Sequence, residues 1–357
     1  MKILILATNF AGVGGAEQHI RTYARVLTNI YGEHNIKILS LVESPNQKLT
    51  LFRKLKFSLN FFFYVINNKF DLIICSHLSL SFLTFIIHLF FKIPYFVITY
   101  GVEVWLSPNF FEKKGILNAN LVLPISNFTK YQMMKNYNIS DKKLIVMPCF
   151  IGTGRFIIKE KNSDLIKKYN LENKKILLTV GRLNKQEQQK GHDRIIQVMV
   201  SLVKKIPNLI YIIVGDGDDK PRLENLVLEN KLNNFVVFAG QVEDNLLIDF
   251  YNLCDIYVMP SSQEGFGIVF LEAAAFQKPV IAGNKDGSVD AVADGETGIL
   301  VDPNNIQEIA DAIEYLILNR DIAEKMGKAG RERVLMEFSL EIMEDKLKKI
   351  IGNNLKF

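Results

Sequence analysis

Two glutamates, Glu264 and Glu272, stand eight residues apart in the otherwise apolar, glycine-containing segment EGFGIVFLE. If Glu264 precedes a helix and Glu272 lies inside it, a rise of 1.5 Å per residue places them roughly 10–12 Å apart. That separation suits one carboxylate on a sugar and one on a ribose. Gly265 and Gly267 leave the helix start without bulky side chains, so backbone N–H groups can face a diphosphate. The alternative is a buried glutamate that caps the helix.

Two cations, Arg182 and Lys190, follow a predicted strand over 176–180. A forked guanidinium and a compact ammonium could together neutralise a diphosphate. A pair of ordinary surface cations is the alternative interpretation. The Gly-Lys-Ser/Thr run of a P-loop is missing from this segment, which disfavours an ATPase.

A glycine-rich turn, GVGGAE over 12–17, follows the first predicted strand. Glycines at the start of a helix let backbone N–H groups approach a phosphate. Glu17 stands where the third glycine of a nicotinamide-binding pattern would be, which disfavours a dinucleotide site. A plain tight turn is the alternative.

These segments belong to an alternation of short β-branched runs and helical patterns, such as 16–29 and 82–91. The predicted strands are Ile3–Ala7, Ile36–Leu41, Leu72–Cys75, Tyr95–Thr99, Leu121–Pro124, Leu144–Met147, Ile176–Val180, Ile210–Val214, Val236–Ala239, Ile256–Met259, Val280–Ala282 and Ile299–Val301. Strand and helix alternation predicts parallel sheets covered on both faces. Two such sets predict two doubly wound domains, with a boundary between Pro148 and Lys175.

Composition excludes several classes of protein. Three scattered cysteines disfavour a disulfide framework. The sequence has no Cys/His cluster, which disfavours a zinc site. We therefore expect a cytoplasmic protein, and we interpret the apolar N-terminal run as a buried strand rather than a signal peptide. Residues 1–150 hold sixteen Lys and Arg against seven Asp and Glu, a charge of +9, while the remainder carries −4. The basic first half suits an anionic partner such as a lipid surface.

Two apolar segments raise the question of membrane contact. Leu78–Phe91 is too short to span a bilayer and favours a core helix. Within Leu49–Ile66, apolar residues recur at helical spacing, with Arg53, Lys54 and Lys56 between them. This pattern predicts either a helix in the membrane interface or a core-packed helix with a basic edge.

The segment EGFGIVFLE resembles the Glu-x7-Glu motif of the retaining glycosyltransferase family 4, which has the GT-B fold. Other pieces follow in that family's order: GVGGAE, YGVEVW, SNFTK, VGRL, KGHD, VGDGDD, FAGQV and GNKDGSVDAVADGETGILVDP. The resemblance covers nearly the whole chain and is most specific over 176–303. It implies an α/β fold of two Rossmann-like, doubly wound domains that face each other across a cleft.

The domains implied are an N-terminal acceptor-binding domain over 1–155 and a C-terminal nucleotide-sugar-binding domain over 156–335. A C-terminal helix over 336–357 could return to the first domain. The resemblance also implies donor-binding residues. These are Gly15 at the donor phosphate, Arg182 and Lys190 at the diphosphate, Val242 at the base, Glu264 at the sugar hydroxyls, backbone N–H groups of Phe266, Gly267, Ile268 and Val269 at the phosphate, and Glu272 at the ribose. Among these, Glu264, Arg182 and Lys190 are the predicted catalytic residues.

The acceptor loop departs from the family pattern. Tyr100 in YGVEVW stands where related sequences often have histidine, and a tyrosine hydroxyl can still donate a hydrogen bond to a sugar. Glu103 is the second predicted acceptor contact, with an ordinary loop carboxylate as the alternative.

The resemblance implies transfer of a hexose, from GDP-mannose or a UDP-hexose, with retention of configuration. The acceptor would be a saccharide or lipid-linked saccharide in cell-surface polysaccharide or glycolipid assembly. The expected partners are this donor and this acceptor, with the inner face of a membrane as a candidate partner, and without nucleic acid, metal or other cofactor. A nucleotide-sugar epimerase and a non-catalytic nucleotide or polyanion binder are the alternatives.

Overall fold

The computed structural model describes residues 1–12, 14–42 and 50–355. The chain divides into two compact units, which we call unit 1 (Met1–Ile151 with Phe338–Phe357) and unit 2 (Gly152–Glu337). Val13 of the glycine-rich turn and Leu49 of the predicted amphipathic helix lie outside the described residues.

Unit 1 is built on a five-stranded parallel sheet in the order β2-β1-β3-β4-β5. Its strands are β1 (Ile3–Asn9), β2 (Ile36–Val42), β3 (Leu72–Cys75), β4 (Tyr95–Thr99) and β5 (Leu121–Pro124). β1 pairs with β2 on one side and β3 on the other, so the strand order reverses there. In such sheets, ligand sites form at the carboxyl ends of the strands next to the reversal.

The helices of unit 1 alternate with these strands. They are α1 (Gly15–Tyr31), α2 (Leu51–Asn67), α3 (Ser81–Phe91), α4 (Val102–Trp105), α5 (Phe110–Leu117) and α6 (Asn127–Tyr137). Side chains of α2, α3, α5 and α6 share one core with the sheet, including Phe61, Ile87, Ile116 and Met133. These four helices therefore cover the same face of the sheet.

One predicted strand of this unit, Leu144–Met147, is wrong. Leu144 forms only an isolated bridge with Val122, although the Met147 N–H donates to the Pro124 carbonyl over 2.9 Å. A parallel ladder would need an N–H at residue 124 to bond back, and proline has none. The other eleven predicted strands are confirmed.

Unit 2 contains a six-stranded parallel sheet in the order β11-β10-β9-β6-β7-β8. Its strands are β6 (Lys175–Val180), β7 (Leu209–Val214), β8 (Val236–Gly240), β9 (Ile256–Met259), β10 (Val280–Gly283) and β11 (Gly298–Val301). β6 lies at the centre and pairs with both β7 and β9. The segments that follow β6 and β9 are thus neighbours at one edge of the sheet.

Eight helices among the described residues belong to unit 2. They are α7 (Ser163–Tyr169), α8 (His192–Lys205), α9 (Lys220–Glu229), α10 (Asp244–Leu253), α11 (Ile268–Ala275), α12 (Ser288–Ala291), α13 (Ile306–Leu318) and α14 (Arg320–Glu337). One core joins α8, α9 and α13 to the sheet. α11 contacts α14 and β10.

The last helix, α15 (Leu340–Asn354), belongs to unit 1 and contacts α1. The Ile151 N–H donates to the Phe338 carbonyl over 2.9 Å, which fixes where this segment joins the unit. Met343 and Leu347 of α15 are buried. Their burial anchors the helix through the hydrophobic effect.

The expectation that Leu78–Phe91 forms a core helix is only partly right. Ser81, Thr84 and Ile87 of α3 are buried, whereas Leu89, Phe90 and Phe91 are exposed. A helix that covers one face of a sheet can turn only one side inward. Within the described ranges, no helix is long and apolar enough to cross a bilayer.

We predict that Leu347→Ala destabilises unit 1 by about 2–4 kcal/mol, because it leaves a cavity between α15 and the rest of the unit. Trp105, the single tryptophan, lies in unit 1 and reports its unfolding in urea by fluorescence. Leu89→Ala, which removes an exposed leucine near the end of α3 in the same unit, is the matched control. Equal effects of both variants on the Trp105 transition would contradict the burial of α15 in unit 1.

Candidate functional site

The segments after β6 and β9 are held together by backbone contacts in unit 2. The Ser262 N–H donates to the Gln189 carbonyl over 3.0 Å. Gly191 has a φ of +83°, and a Cβ there would lie 2.8 Å from the Pro260 carbonyl oxygen. Only glycine fits this left-handed, crowded position. The contact brings the predicted cations beside the glutamate segment.

Both cations are paired with one carboxylate that the sequence did not single out, Glu187. Arg182 Nη2 lies 2.6 Å from Glu187 Oε1, and Lys190 Nζ lies 2.6 Å from Glu187 Oε2. Arg182 is exposed and Lys190 is half-buried. Glu187 sets the spacing of the two cations, and one positive charge remains uncompensated within the trio. Glu187 lies between Arg182 and Lys190 in the sequence, and this proximity was the signal that could have identified it.

The backbone around Glu264 is fixed by the buried Asp286. Asp286 accepts the Glu264 N–H over 2.6 Å and the Ser288 N–H over 2.9 Å. The Gly287 N–H donates to the Glu264 carbonyl over 2.7 Å. A Cβ on Gly287 would lie 1.9 Å from the Gly265 carbonyl oxygen, so this approach requires glycine. Asp286 is a structural determinant of the site that sequence reasoning missed.

Glu264 itself is half-buried, and burial raises the pKa of its carboxyl to about 7. The positive charges of Lys190 and Arg182 oppose this rise, whereas the Asp286 and Glu187 carboxylates add to it. Near neutral pH the carboxyl is therefore present in both protonation states. It can accept a hydrogen bond from a sugar hydroxyl or donate one.

Helix α11 begins immediately after this loop. Its N-cap residue, Gly267, has a φ of +87°, and a Cβ there would lie 2.3 Å from the Phe270 ring. Within the described part of the chain, no side chain caps the helix at Gly267. The start of α11 therefore offers backbone N–H groups without a capping side chain, an arrangement that favours anions. It comprises Phe266, Gly267, Ile268 and Val269.

Glu272 lies inside α11 and is buried. Arg155 Nη2 is 2.9 Å from its Oε1, and the Tyr251 hydroxyl donates to its Oε2 over 2.9 Å. A buried carboxylate needs such partners. Arg155 is 117 residues away in the sequence, so no local pattern could have identified it.

The other two residues predicted to bind the donor are Val242 in unit 2 and Gly15 in unit 1. Val242 follows β8, which is the edge strand two places from β6. Gly15 is the first residue of α1 in unit 1, and a Cβ there would meet no atom of the described residues within 4 Å. Packing within the chain therefore does not require glycine at position 15.

The predicted acceptor residues, Tyr100 and Glu103, are half-buried and lie in a polar cluster of unit 1. The Tyr100 N–H donates to Glu103 Oε1, and the Tyr100 ring meets His19 edge-on at 5.6 Å. Burial lowers the pKa of His19 to about 4, so this ring is neutral at pH 7. The Tyr100 hydroxyl is buried, and neither it nor the Tyr23 hydroxyl has a partner among the described residues.

A cavity of about 430 Å³ lies at the carboxyl ends of β1 and β2. Leu41, Phe57, Leu80 and Leu83 give it apolar walls. Asn9 also lines it, and its buried Oδ1 has no hydrogen-bond partner among the described residues. Its walls combine apolar surface with a few polar groups, as in pockets for small organic ligands.

The segment that carries this geometry is similar to a known protein family. Residues 161–333, which hold the two cations, Glu264 and Glu272, match the family model described as "Glycosyl transferases group 1". This segment, which we call the group 1 domain, is therefore similar to group 1 glycosyl transferases. The domain also contains Glu187, Asp286, Tyr251 and Val242, whereas Arg155 precedes it.

Two curated relatives are similar over this region. The capsular polysaccharide biosynthesis glycosyltransferase CapM of Staphylococcus aureus is 32% identical over 252 residues, 69% of this chain and 64% of CapM. A GDP-mannose-dependent alpha-(1-6)-phosphatidylinositol monomannoside mannosyltransferase of Mycobacterium tuberculosis is 30% identical over 237 residues, 64% of this chain and 60% of that protein. The chain thus spans about three fifths of the length of the curated relatives it matches.

A solved structure extends the comparison to both units. Sucrose-phosphate synthase from Thermosynechococcus elongatus has a TM-score of 0.83 with 21% sequence identity, over 99% of each chain. At this identity the likeness concerns the fold. The group 1 domain is thus the second of two Rossmann-like units of a GT-B fold, and the predicted fold class is confirmed.

We predict that Glu264→Gln stabilises the group 1 domain at pH 8 by about 1–2 kcal/mol and has little effect at pH 4.5. The native pKa of about 7 lies above the ordinary 4.5, so ionisation of Glu264 weakens the folded state as the pH rises through 7. Below pH 4.5 both states are protonated. Because Trp105 lies in unit 1, its fluorescence does not report the unfolding of the group 1 domain, which calorimetry can follow. Glu296→Gln, at an exposed carboxylate of the same domain, is the control, and an equal gain in both variants would contradict the prediction.

Proposed function

We propose that this chain transfers a hexose from a nucleoside diphosphate sugar to a saccharide or lipid-linked saccharide acceptor. The observation that carries this proposal is the convergence of Arg182 and Lys190 on Glu187, next to the half-buried Glu264. The match of residues 161–333 to the group 1 glycosyl transferases supports the same class of reaction. CapM and the mannosyltransferase are relatives whose names describe polysaccharide and glycolipid assembly.

The first task of the proposed site is to stabilise the leaving diphosphate. Arg182 offers a forked donor and Lys190 a point charge, and Glu187 holds both in place before a ligand arrives. The backbone start of α11 adds N–H groups and the positive end of the helix dipole. Preorganised charges of this kind lower the barrier most where negative charge develops.

Glu264 is the proposed contact to the donor sugar. Its carboxyl can donate or accept near neutral pH, which suits vicinal sugar hydroxyls. Asp286 fixes its backbone from behind. Glu272 is the proposed ribose contact, with Arg155 and Tyr251 holding its carboxylate. Val242 is proposed to contact the base.

The proposed reaction retains the anomeric configuration. The bond between the anomeric carbon and the diphosphate breaks, and its electron pair leaves with the diphosphate. The acceptor oxygen bonds to the same face of that carbon, and its proton passes to the departing phosphate oxygen. No side chain of the enzyme forms a covalent bond to the sugar in this proposed route, and no metal takes part. Positioning and leaving-group stabilisation then account for the catalysis.

The acceptor is proposed to bind in unit 1. Tyr100 and Glu103 lie in its polar cluster, and Gly15 leaves open space at the start of α1 for a donor phosphate. The cavity lined by Asn9 offers an apolar wall with a polar acceptor, which suits an amphiphilic molecule. We propose a GDP-mannose or UDP-hexose donor, and a screen of both classes distinguishes them.

We predict that a matching nucleotide sugar raises the melting temperature of the protein, because it binds only the folded state. At a hundredfold excess over its dissociation constant, the stabilisation is about 2.7 kcal/mol. Glu272→Ala should lose most of this shift through the loss of ribose hydrogen bonds. Glu296→Ala, at an exposed site of the same unit, should retain it. An unchanged dissociation constant in Glu272→Ala would refute the ribose role.

We predict that Lys190→Ala lowers kcat by about a hundredfold or more, because the leaving diphosphate loses a fixed positive charge. Lys185→Ala removes an exposed lysine of the same segment and should leave kcat within about twofold of the native value. The assay measures donor turnover with and without acceptor, in the presence of a chelator.

The same assay separates the alternative functions. Turnover without acceptor that yields an altered nucleotide sugar would indicate an epimerase, and binding without turnover would indicate a non-catalytic binder. Loss of activity in the chelator would contradict the metal-free mechanism. NMR of the product must show the donor's anomeric configuration, and inverted product would exclude the proposed route.

A further inference from the structure

Helix α2 of unit 1 is apolar on two opposite sides. One side, with Phe57, Phe61 and Val65, is buried against the sheet. The other side consists of large apolar residues that are exposed, with values from 48% to 77%. These are Phe52, Leu55, Leu59, Phe63 and Ile66. A helix that only packed on the sheet would carry polar residues at these outward positions.

This exposed stripe continues onto the two neighbouring helices. The Phe62 ring of α2 contacts Phe91 at the end of α3, with centroids 5.6 Å apart. Phe82 of α3 contacts Phe111 of α5, with centroids 4.8 Å apart. The exposed apolar residues of α2, the end of α3 and the start of α5 together form what we call the apolar face. Large exposed apolar surface on helices that contact one another marks an interaction site.

Basic residues accompany the apolar face. Lys56 of α2, Lys92 after α3, and Lys113 and Lys114 of α5 are all exposed. Residues 51–67 and 81–91 contain no Asp or Glu. The apolar face therefore combines apolar side chains with positive charge, and it is complementary to a partner that is apolar and negatively charged.

We propose that unit 1 docks through the apolar face onto the surface of an anionic lipid bilayer. The apolar side chains would enter the headgroup and acyl boundary, and the lysines would lie among the anionic headgroups. A second copy of this chain fits less well, because it would bring two sets of lysines together. Docking goes beyond the proposed transferase activity and does not depend on it.

Helix α2 also relates this surface to the cavity of unit 1. Lys54, Phe57 and Ser58 line the cavity, while Leu55, Leu59 and Phe63 of the same helix belong to the apolar face. A docked α2 would therefore place a wall of the cavity next to the lipid. An acceptor carried on a lipid would then reach the cavity without leaving the bilayer surface.

The test is cosedimentation of the full chain with vesicles of phosphatidylcholine containing about one third phosphatidylserine. We expect the native protein to sediment with these vesicles and much less with phosphatidylcholine alone. The double variant Leu59→Gln and Phe63→Gln should lower the partition coefficient at least tenfold, because the apolar contribution to insertion is lost. Circular dichroism and the urea transition of Trp105 fluorescence verify that the variant is folded.

The chain offers a matched control for the apolar substitutions. Leu228 and Leu318 of unit 2 are 62% and 67% exposed, close to the 59% and 58% of Leu59 and Phe63. The double variant Leu228→Gln and Leu318→Gln should sediment with the vesicles as the native protein does. Equal losses in the two double variants would overturn the assignment to this face.

A second pair of variants tests the charge. Lys56→Gln with Lys92→Gln should weaken binding to anionic vesicles and reduce its sensitivity to salt. Lys167→Gln with Lys204→Gln, at exposed lysines of unit 2, should do neither. Absence of native binding to anionic vesicles would overturn the proposal. So would loss of a native dimer in the Leu59 and Phe63 variant, measured by analytical ultracentrifugation, because a second copy would then be the partner.

Discussion

The buried carboxylate of Asp286 connects the two loops on which the candidate donor site depends. It accepts the N–H groups of Glu264 and Ser288, while Gly287 approaches Gly265 at a distance that no side chain allows. A carboxylate without water is tolerable only when its oxygens accept hydrogen bonds. If the loop before α11 moved away from the loop after β10, the Asp286 carboxylate would lose the hydrogen bond from the Glu264 N–H.

The glutamates of the candidate donor site lie in different surroundings. Glu264 is held in a desolvated place, which raises the pKa of its carboxyl to about 7. Glu187 instead bonds two cations, and Glu272 bonds Arg155 and Tyr251. Three glutamates thus have three environments and can serve different parts of one ligand, because burial and partners determine what a carboxyl does.

Unit 1 is organised by a different constraint. Its sheet is covered on one face by α2, α3, α5 and α6, and each helix can bury only one side. Apolar residues on the outward side of α2 therefore add nothing to the core. They suit the proposed external lipid partner, and the polar cluster of Tyr100, His19 and Glu103 is a separate feature of the same unit.

The sequence alone determined the fold class, eleven of the twelve predicted strands and the segments that carry the cations and glutamates. These features are local, because hydrophobic periodicity and short motifs are written in neighbouring residues. It could not determine that Leu144–Met147 fails as a strand, since the missing N–H belongs to Pro124 on another segment. Nor could it identify Asp286 behind Glu264, or Arg155 beside Glu272 from 117 residues away. The helical spacing of α2 revealed its apolar residues, but which of them turn outward was decided only when the sheet buried Phe57, Phe61 and Val65. Partners distant in the sequence, and the side of a helix that is buried, depend on how the chain packs, and only the tertiary structure supplies that.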